Sequence, residues 1–181
     1  LQALARLEAF RGGDDAVAAA GRHLAEAAGQ FAAAGEGEWR GHALASLGYR
    51  VHYERGDLGP AADRLERALG TAPAGSRERA VFAVFLGEVL GYAGRIDDSE
   101  AALDEAEAFA RAAGDERVHA YVAWQRARNR SFRGDHAATL EHLRDAEAHP
   151  GEWFAHPTGI EFLGEAAEML ARPGVRKGLQ V

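Results

Sequence analysis

Apolar residues recur three and four positions apart along most of the chain, which is the spacing of one face of an α-helix. Glycines and short polar stretches interrupt this pattern, so each uninterrupted stretch predicts one amphipathic helix. β-Branched residues and prolines are scarce, and the predicted fold is therefore all-α. The predicted helices cover residues 1–11, 14–34, 37–55, 59–71, 76–93, 97–113, 116–133, 136–148 and 159–172.

The glycines that separate these helices form two interleaved series, and their regularity indicates a repeat. The first series consists of Gly13, Gly56, Gly94 and Gly134. The second series consists of Gly35, Gly75 and Gly114. Aspartates close behind the first series can cap the following helix with a side-chain oxygen. These predicted caps are Asp14, Asp57, Asp97 and Asp135.

One motif occurs in every second helix: a small residue, a leucine four positions later, and an alanine three positions after that. We call it the small–Leu–Ala motif. Its copies are Ala20-Leu24-Ala27, Ala61-Leu65-Ala68, Ser99-Leu103-Ala106 and Thr139-Leu143-Ala146. Successive copies lie 41, 38 and 40 residues apart. Four copies in one phase indicate consecutive helix pairs that bury the same face.

The helices between these copies carry a second, weaker pattern. Leu44-x2-Leu47-Gly48 matches Ala83-x2-Leu86-Gly87, and Ala127 takes the place of the glycine in the next copy. A Leu-Gly pair in a first helix, a Gly-Asp turn and small-x3-large-x2-Ala in a second helix resemble the tetratricopeptide (TPR) repeat. This resemblance implies a right-handed α-solenoid of antiparallel helix pairs. It divides residues 1–181 into about four repeats, at 1–35, 36–75, 76–114, 115–150 and a partial 151–181.

Long, alanine-rich repeats of this kind are similar to those of the large ATP-dependent LuxR-type bacterial transcriptional regulators, the maltose-regulator-like group. The segment around Trp153 and Phe154, which leads into Phe162, also resembles that group. The apolar residues near both ends, such as Leu4 and Met169, predict a segment taken from a longer protein. Self-association through those ends is a further expectation.

Composition narrows the classes of function. The 181 residues include 28 acids against 21 bases, for a net charge of −7, so direct binding of nucleic acid by this segment is not expected. The absence of cysteine excludes disulfides, thiolate catalysis and cysteine-ligated metals. No stretch predicts a transmembrane helix and no secretory signal is visible, so no membrane contact and a cytoplasmic location are expected.

Catalytic patterns are missing from the sequence. A Walker phosphate loop needs a lysine, and Lys177 is the only one. No Gly-x-Ser-x-Gly elbow occurs, and no two of the eight histidines have the spacing of a helical metal pair. We therefore expect no enzyme activity, cofactor or metal, although a helical hydrolase or a metal site built across helices stays open as a less favoured alternative.

The candidate site is a groove lined by the first helices of adjacent repeats. In TPR-like stacks the outward positions of these helices select ligands, and the resemblance carries this role over to matching positions. Its four tiers are His42, Val81 and Tyr121; Ala45, Val84 and Trp124; Tyr49, Glu88 and Arg128; and Tyr53, Tyr92 and Phe132. Such an aromatic strip suits a peptide or a sugar ring. The alternative is that these aromatic side chains fill the space between helices.

Four arginines lie close together in one predicted helix: Arg126, Arg128, Arg130 and Arg133. Three share a helix face, whereas Arg128 points elsewhere. The preceding helix offers a stripe of acids at positions 100, 104 and 107, so ion pairs between helices are the favoured interpretation, with capture of phosphate or an acidic peptide as the alternative.

Taken together, these patterns predict a non-catalytic module that binds a protein or peptide partner, or a small effector. The resemblance implies that this module belongs to a larger bacterial transcriptional regulator. A stand-alone TPR adaptor or a peptide-sensing protein is the alternative.

Overall fold

The computed structural model describes residues 14–53 and 55–148, and this part of the chain is helical, with no strand. Its helices are α1 (Asp14–Ala34), α2 (Gly37–Ser46), α3 (Leu58–Leu69), α4 (Arg77–Tyr92), α5 (Ile96–Ala113), α6 (Glu116–Phe132) and α7 (His136–Ala148). A π-helical segment, Leu47–Tyr53, continues α2. The all-α prediction is confirmed for this range, whereas the predicted helices 1–11 and 159–172 lie outside the described residues.

Six of the seven predicted breaker glycines fall within the described residues, and each has a positive φ, between 63° and 78°. Such angles strain residues that carry a β-carbon, so glycine is favoured there. Five of these glycines end a helix in a Schellman motif, in which the N–H after the glycine donates to a carbonyl five residues earlier. These five are Gly35, Gly56, Gly94, Gly114 and Gly134.

The caps at the helix starts agree only in part with the sequence. The Oδ1 atom of Asp135 accepts the backbone N–H of Ala138 at 3.1 Å, as predicted. Asp57 makes no such bond, and Asp97 lies inside the first turn of α5, so both predicted caps are wrong. The negative charge of Asp97 still interacts favourably with the helix dipole in that first turn. Asp14 is the first described residue, and nothing tests its predicted cap.

Two caps were not expected. Ser76 Oγ accepts the N–H of Arg79 and caps α4, while Asp115 Oδ1 accepts the N–H of Val118 and caps α6, both at 3.1 Å.

Each helix packs against the next one along the chain, and α4 also packs against α6. Eleven of the twelve positions of the small–Leu–Ala motif are buried; the exception is Leu143, which is half-buried. Leu65 and Leu103 are completely enclosed. The periodic face that the sequence predicts is therefore the face that the structure buries.

The Leu-Gly pairs explain how closely the helices approach. A β-carbon on Gly48 would lie 2.9 Å from the carbonyl oxygen of Ala61, and one on Gly87 would lie 2.9 Å from Leu103 side-chain carbons. Ala61 and Leu103 both belong to the small–Leu–Ala motif of the following helix. Glycine thus allows the two helices to approach until backbone meets the motif.

No helix in the described part of the chain combines the length and the apolar character that crossing a lipid bilayer requires.

Candidate functional site

Six aromatic side chains from α2 with its π-helical segment, α4 and α6 form one continuous series of ring contacts, which we call the aromatic strip. In order of contact they are Phe132, Tyr92, Tyr53, Tyr49, Phe85 and Tyr121. Their ring centroids lie 4.3–6.3 Å apart, which is the range of favourable stacked and edge-to-face pairs. Three of them, Tyr53, Tyr92 and Phe132, stand 39 and 40 positions apart in the sequence, so residues at corresponding positions of these helices meet in space.

His42 belongs to a different group. Its ring makes an edge-to-face contact with Phe82 at 5.5 Å and a tilted contact with Trp39 at 6.1 Å. The predicted tier instead placed His42 beside Val81 and Tyr121, and the observed ring contact is with Phe82.

A buried carboxylate lies behind the aromatic strip. Glu88 on α4 is 6 % exposed, and its two oxygens accept hydrogen bonds from both tyrosines of the π-helical segment: Tyr49 at 2.9 Å and Tyr53 at 3.0 Å. Gln125 on α6 donates a third bond at 3.1 Å. Burying a charge is unfavourable unless it is paired and hydrogen-bonded, and these donors supply much of that compensation.

Arg128 supplies the opposing charge. Its Nη1 atom lies 3.5 Å from Glu88 Oε1 and donates to the hydroxyl oxygen of Tyr92 at 2.8 Å, and its guanidinium lies 4.3 Å from the centroid of the Tyr92 ring. One internal cation therefore contacts both the carboxylate and an aromatic face. We call Tyr49, Tyr53, Glu88, Gln125 and Arg128 the Glu88 cluster.

The hydroxyls of Tyr49, Tyr53 and Tyr121 stay protonated at neutral pH. Burial raises the pKa of Tyr49, Tyr53 and Tyr121, and the negative charge of Glu88 raises each of them further. The hydroxyls of Tyr49 and Tyr53 therefore act as hydrogen-bond donors to Glu88.

Exposure separates the surface of the strip from its support. Tyr92 and Phe132 are 37 % and 42 % exposed, and Tyr53 is half-buried. Glu88, Trp124 and Arg128 are buried, so a molecule on this surface would touch the rings rather than these three side chains. Trp124 packs with Ala123 and Ala146.

Two of the predicted tiers are connected by contacts through their middle residue: Glu88 bonds to both Tyr49 and Arg128, and Tyr92 contacts both Tyr53 and Phe132. Sequence analysis missed Phe85 and Gln125, which take part in the same contacts. Each precedes a predicted site residue by three positions, a spacing that places both on one helix face, and this signal could have identified them.

The arginine-rich segment of α6 forms the ion pairs that the sequence favoured. Arg126 pairs with Glu100 at 3.4 Å and with Asp104 at 2.5 Å, and Arg133 pairs with Asp97. Burial lowers the pKa of the nearby His142, and the positive charges of Arg126 and Arg130 lower it further. Arg128 points away from this face, as expected.

Glu107, predicted to belong to that acidic stripe, is buried and instead pairs with Arg111 at 2.7 Å and with His119 Nδ1 at 3.0 Å. Across the described ranges, no three histidine, aspartate or glutamate side chains converge as metal ligands do.

The site therefore offers the exposed rings of Tyr92 and Phe132, and a charged network lies underneath them. Comparisons of this chain with protein-family models, with curated proteins and with solved structures find no match.

Proposed function

We propose that this chain is a TPR-like module of a larger bacterial transcriptional regulator, in which it recognises a protein or peptide partner or a small effector without catalysis of its own. The proposed architecture is a right-handed solenoid of helix pairs, with the aromatic strip on its concave side. The assignment to a LuxR-type regulator rests on the sequence resemblance.

The observation that carries the recognition role is the contact of Tyr53, Tyr92 and Phe132. These residues lie 39 and 40 positions apart in the sequence, and their rings touch in succession. A ladder of rings on adjacent repeats is a surface on which an extended ligand can bind several units at once.

The chemistry of the exposed rings favours an amphipathic ligand. Tyrosine and phenylalanine bury a large apolar area with little loss of conformational entropy, and the ring faces suit both peptide side chains and sugar rings. The Glu88 cluster supports this role from below because it fixes the hydroxyls of Tyr49, Tyr53 and Tyr92.

Peptide selection tests the surface directly. The chain is used to select binders from a displayed random-peptide library, and the recovered peptides are titrated against variants by calorimetry. Tyr92→Ala and Phe132→Ala together should weaken binding at least tenfold, since buried aromatic anchors dominate such interfaces. The matched control is Trp39→Ala, because Trp39 is the other strongly exposed aromatic residue described and lies outside the strip.

If the peptides bind the double variant as tightly as the original chain, then the aromatic strip is not the binding surface. A parallel titration with a series of oligosaccharides distinguishes a sugar effector from a peptide partner.

The parent protein is tested independently of binding. Sequencing the coding DNA on both sides should show a Walker loop upstream and a helix-turn-helix segment downstream. Stop and start codons immediately around this segment would instead support a stand-alone adaptor.

A further inference from the structure

Three arginines surround a cleft on another part of the molecule, between α1, α2 and α3. Arg40 comes from α2, and Arg64 and Arg67 come from α3. They border a cavity of about 220 Å³ whose remaining wall is apolar or without a side chain. The wall residues are Ala25, Ala28, Gly29, Ala32, Leu44 and Leu47.

These arginines differ from many others in the described part of the chain. Arg77, Arg79, Arg126 and Arg133 each pair with a carboxylate on another helix or at its cap. Within residues 14–53 and 55–148, by contrast, the side chains of Arg40, Arg64 and Arg67 make no ion pair and no hydrogen bond. Three positive charges around one cavity repel one another, and an anion between them removes this repulsion.

The distribution of acids indicates where that anion would bind. No carboxylate lines the 220 Å³ cavity, although the whole chain carries a net charge of −7. A larger and more open hollow of about 650 Å³ shares Arg64 and Arg67, but Asp63 and Glu66 also line it. An anion is therefore favoured in the smaller cavity and disfavoured in the larger hollow.

We infer that this cleft binds a small amphiphilic anion, with a carboxylate or phosphate group on Arg40, Arg64 and Arg67 and a short apolar body against the alanine and leucine wall. Guanidinium groups bind both kinds of anion through paired N–H donors. The cavity is smaller than the ~300–1,000 Å³ of sites for drug-sized ligands, so the apolar body is short. This site is separate from the aromatic strip and does not depend on the proposed function.

Calorimetric titration with two homologous series tests the inference. Linear carboxylates from acetate to octanoate and the matching alkyl phosphates are compared with neutral alcohols of equal length. Affinity should rise with chain length until the cavity is filled and then level off, and the alcohols should not bind measurably. The two anionic series distinguish a carboxylate ligand from a phosphate ligand.

Two variants test the charge and the shape of the cavity separately. Arg64→Gln should weaken binding of the best anion at least about tenfold, because hydrogen bonds to charged groups are strong. The matched control, Arg22→Gln, removes the same charge from an exposed residue of α1 that does not line the cavity and should change affinity less than about twofold.

Gly29→Leu closes the cavity and leaves every arginine in place. A β-carbon at Gly29 meets no atom within 4 Å, so the leucine fits the helix and occupies the cleft. The gain in affinity with chain length should then disappear, while helix content by circular dichroism stays unchanged.

The inference is overturned if the alcohols bind as tightly as the anions, or if Arg64→Gln behaves like Arg22→Gln. Tyr92→Ala should leave anion binding unaltered, which keeps this test distinct from that of the aromatic strip.

Discussion

The small–Leu–Ala motif and the Glu88 cluster both lie between helices, but only the motif is repeated. Leu65 and Leu103 occupy corresponding positions of successive copies, and both are completely enclosed by apolar neighbours. Glu88 has Tyr49 39 positions earlier and Arg128 40 positions later, and these three residues differ in charge and chemistry.

This difference separates what maintains the fold from what can confer specificity. A repeated apolar contact needs only the same shape in each copy, and it forms in any sequence that keeps the pattern. A charged cluster stabilises only when every partner is present, and it is costly when one is missing. The aromatic strip lies over the Glu88 cluster, which is an interior of this charged kind.

Removing the cation should have the largest effect. Arg128→Met leaves the buried carboxylate of Glu88 without its charged partner, and we expect a loss of about 3–5 kcal/mol in the free energy of unfolding. Urea denaturation followed by circular dichroism measures it. Arg130→Met on the same helix is the control and should change stability by less than ~1 kcal/mol.

The double variant Arg128→Met with Glu88→Gln sharpens the test. The amide oxygen of the glutamine still accepts one of the two tyrosine hydrogen bonds, and its amide nitrogen can donate to the hydroxyl oxygen of the other tyrosine. No unpaired charge remains, so the double variant should recover part of the loss. The loss in the free energy of unfolding is also measured for Glu88→Gln alone. If the loss of the double variant equals the sum of the losses of the two single variants, then the ion pair does not stabilise this interior.

Truncating the repeated leucines should have a similar but more uniform effect. Leu65→Ala and Leu103→Ala each remove a fully buried side chain, at an expected cost of about 2–5 kcal/mol. Since the two sites correspond, their costs should agree within ~1 kcal/mol. Leu143→Ala, at the half-buried copy, should cost only about 1–2 kcal/mol. Thermal and urea unfolding of the three variants give the comparison.

The fold follows from local signals that sequence patterns preserve. Gly94 and Gly134 end helices because their positive φ is a property of a few neighbouring residues, and the helices lie within about two residues of their predicted limits. The predicted caps Asp57 and Asp97 are wrong because a cap is more sensitive to exact position than a helix limit is. A cap requires one side-chain geometry at one residue, and a shift of one position removes it.

The candidate site is less predictable because it depends on contacts between residues far apart in the sequence. Equal spacing correctly places Tyr53 beside Tyr92, but nothing local indicates that Trp124 turns toward α7. The π-helical segment that carries Tyr49 and Tyr53 has no sequence signal that we recognise. Both tyrosines bond to Glu88, which lies 35 residues or more along the chain, so this arrangement depends on a non-local contact.

Filling the space between Gly87 and Leu103 should have an intermediate effect on the free energy of unfolding. Gly87→Ala places a β-carbon 2.9 Å from side-chain carbons of Leu103, so overpacking should outweigh the better helix propensity of alanine and lower stability by about 1–2 kcal/mol. Gly29→Ala is the matched control, because nothing lies within 4 Å there, and it should raise stability by about 0.5–1 kcal/mol. Equal effects of the two substitutions would contradict the close approach at Gly87.

The smallest expected effect concerns the Asp115 cap, outside both interiors. Burial raises the pKa of this carboxyl, but the bonds from Arg77 Nε at 2.8 Å and from backbone N–H groups favour the charged form more strongly, and the net pKa is lowered. Its stabilisation is therefore complete above the unfolded pKa near 3.8 and is lost as the pH falls through the lower, folded pKa.

Asp115→Asn keeps a capping oxygen but removes the charge, and we expect a loss of about 0.5–1 kcal/mol at pH 7. Below the folded pKa the carboxyl of Asp115 in the original chain is protonated and therefore neutral, like the asparagine of the variant. The two proteins should then approach equal stability. Urea midpoints measured between pH 7 and pH 2.5 give the difference as a function of pH. A difference that stays constant over this range would show that the cap acts through geometry alone, and not through the charge that Arg77 contacts.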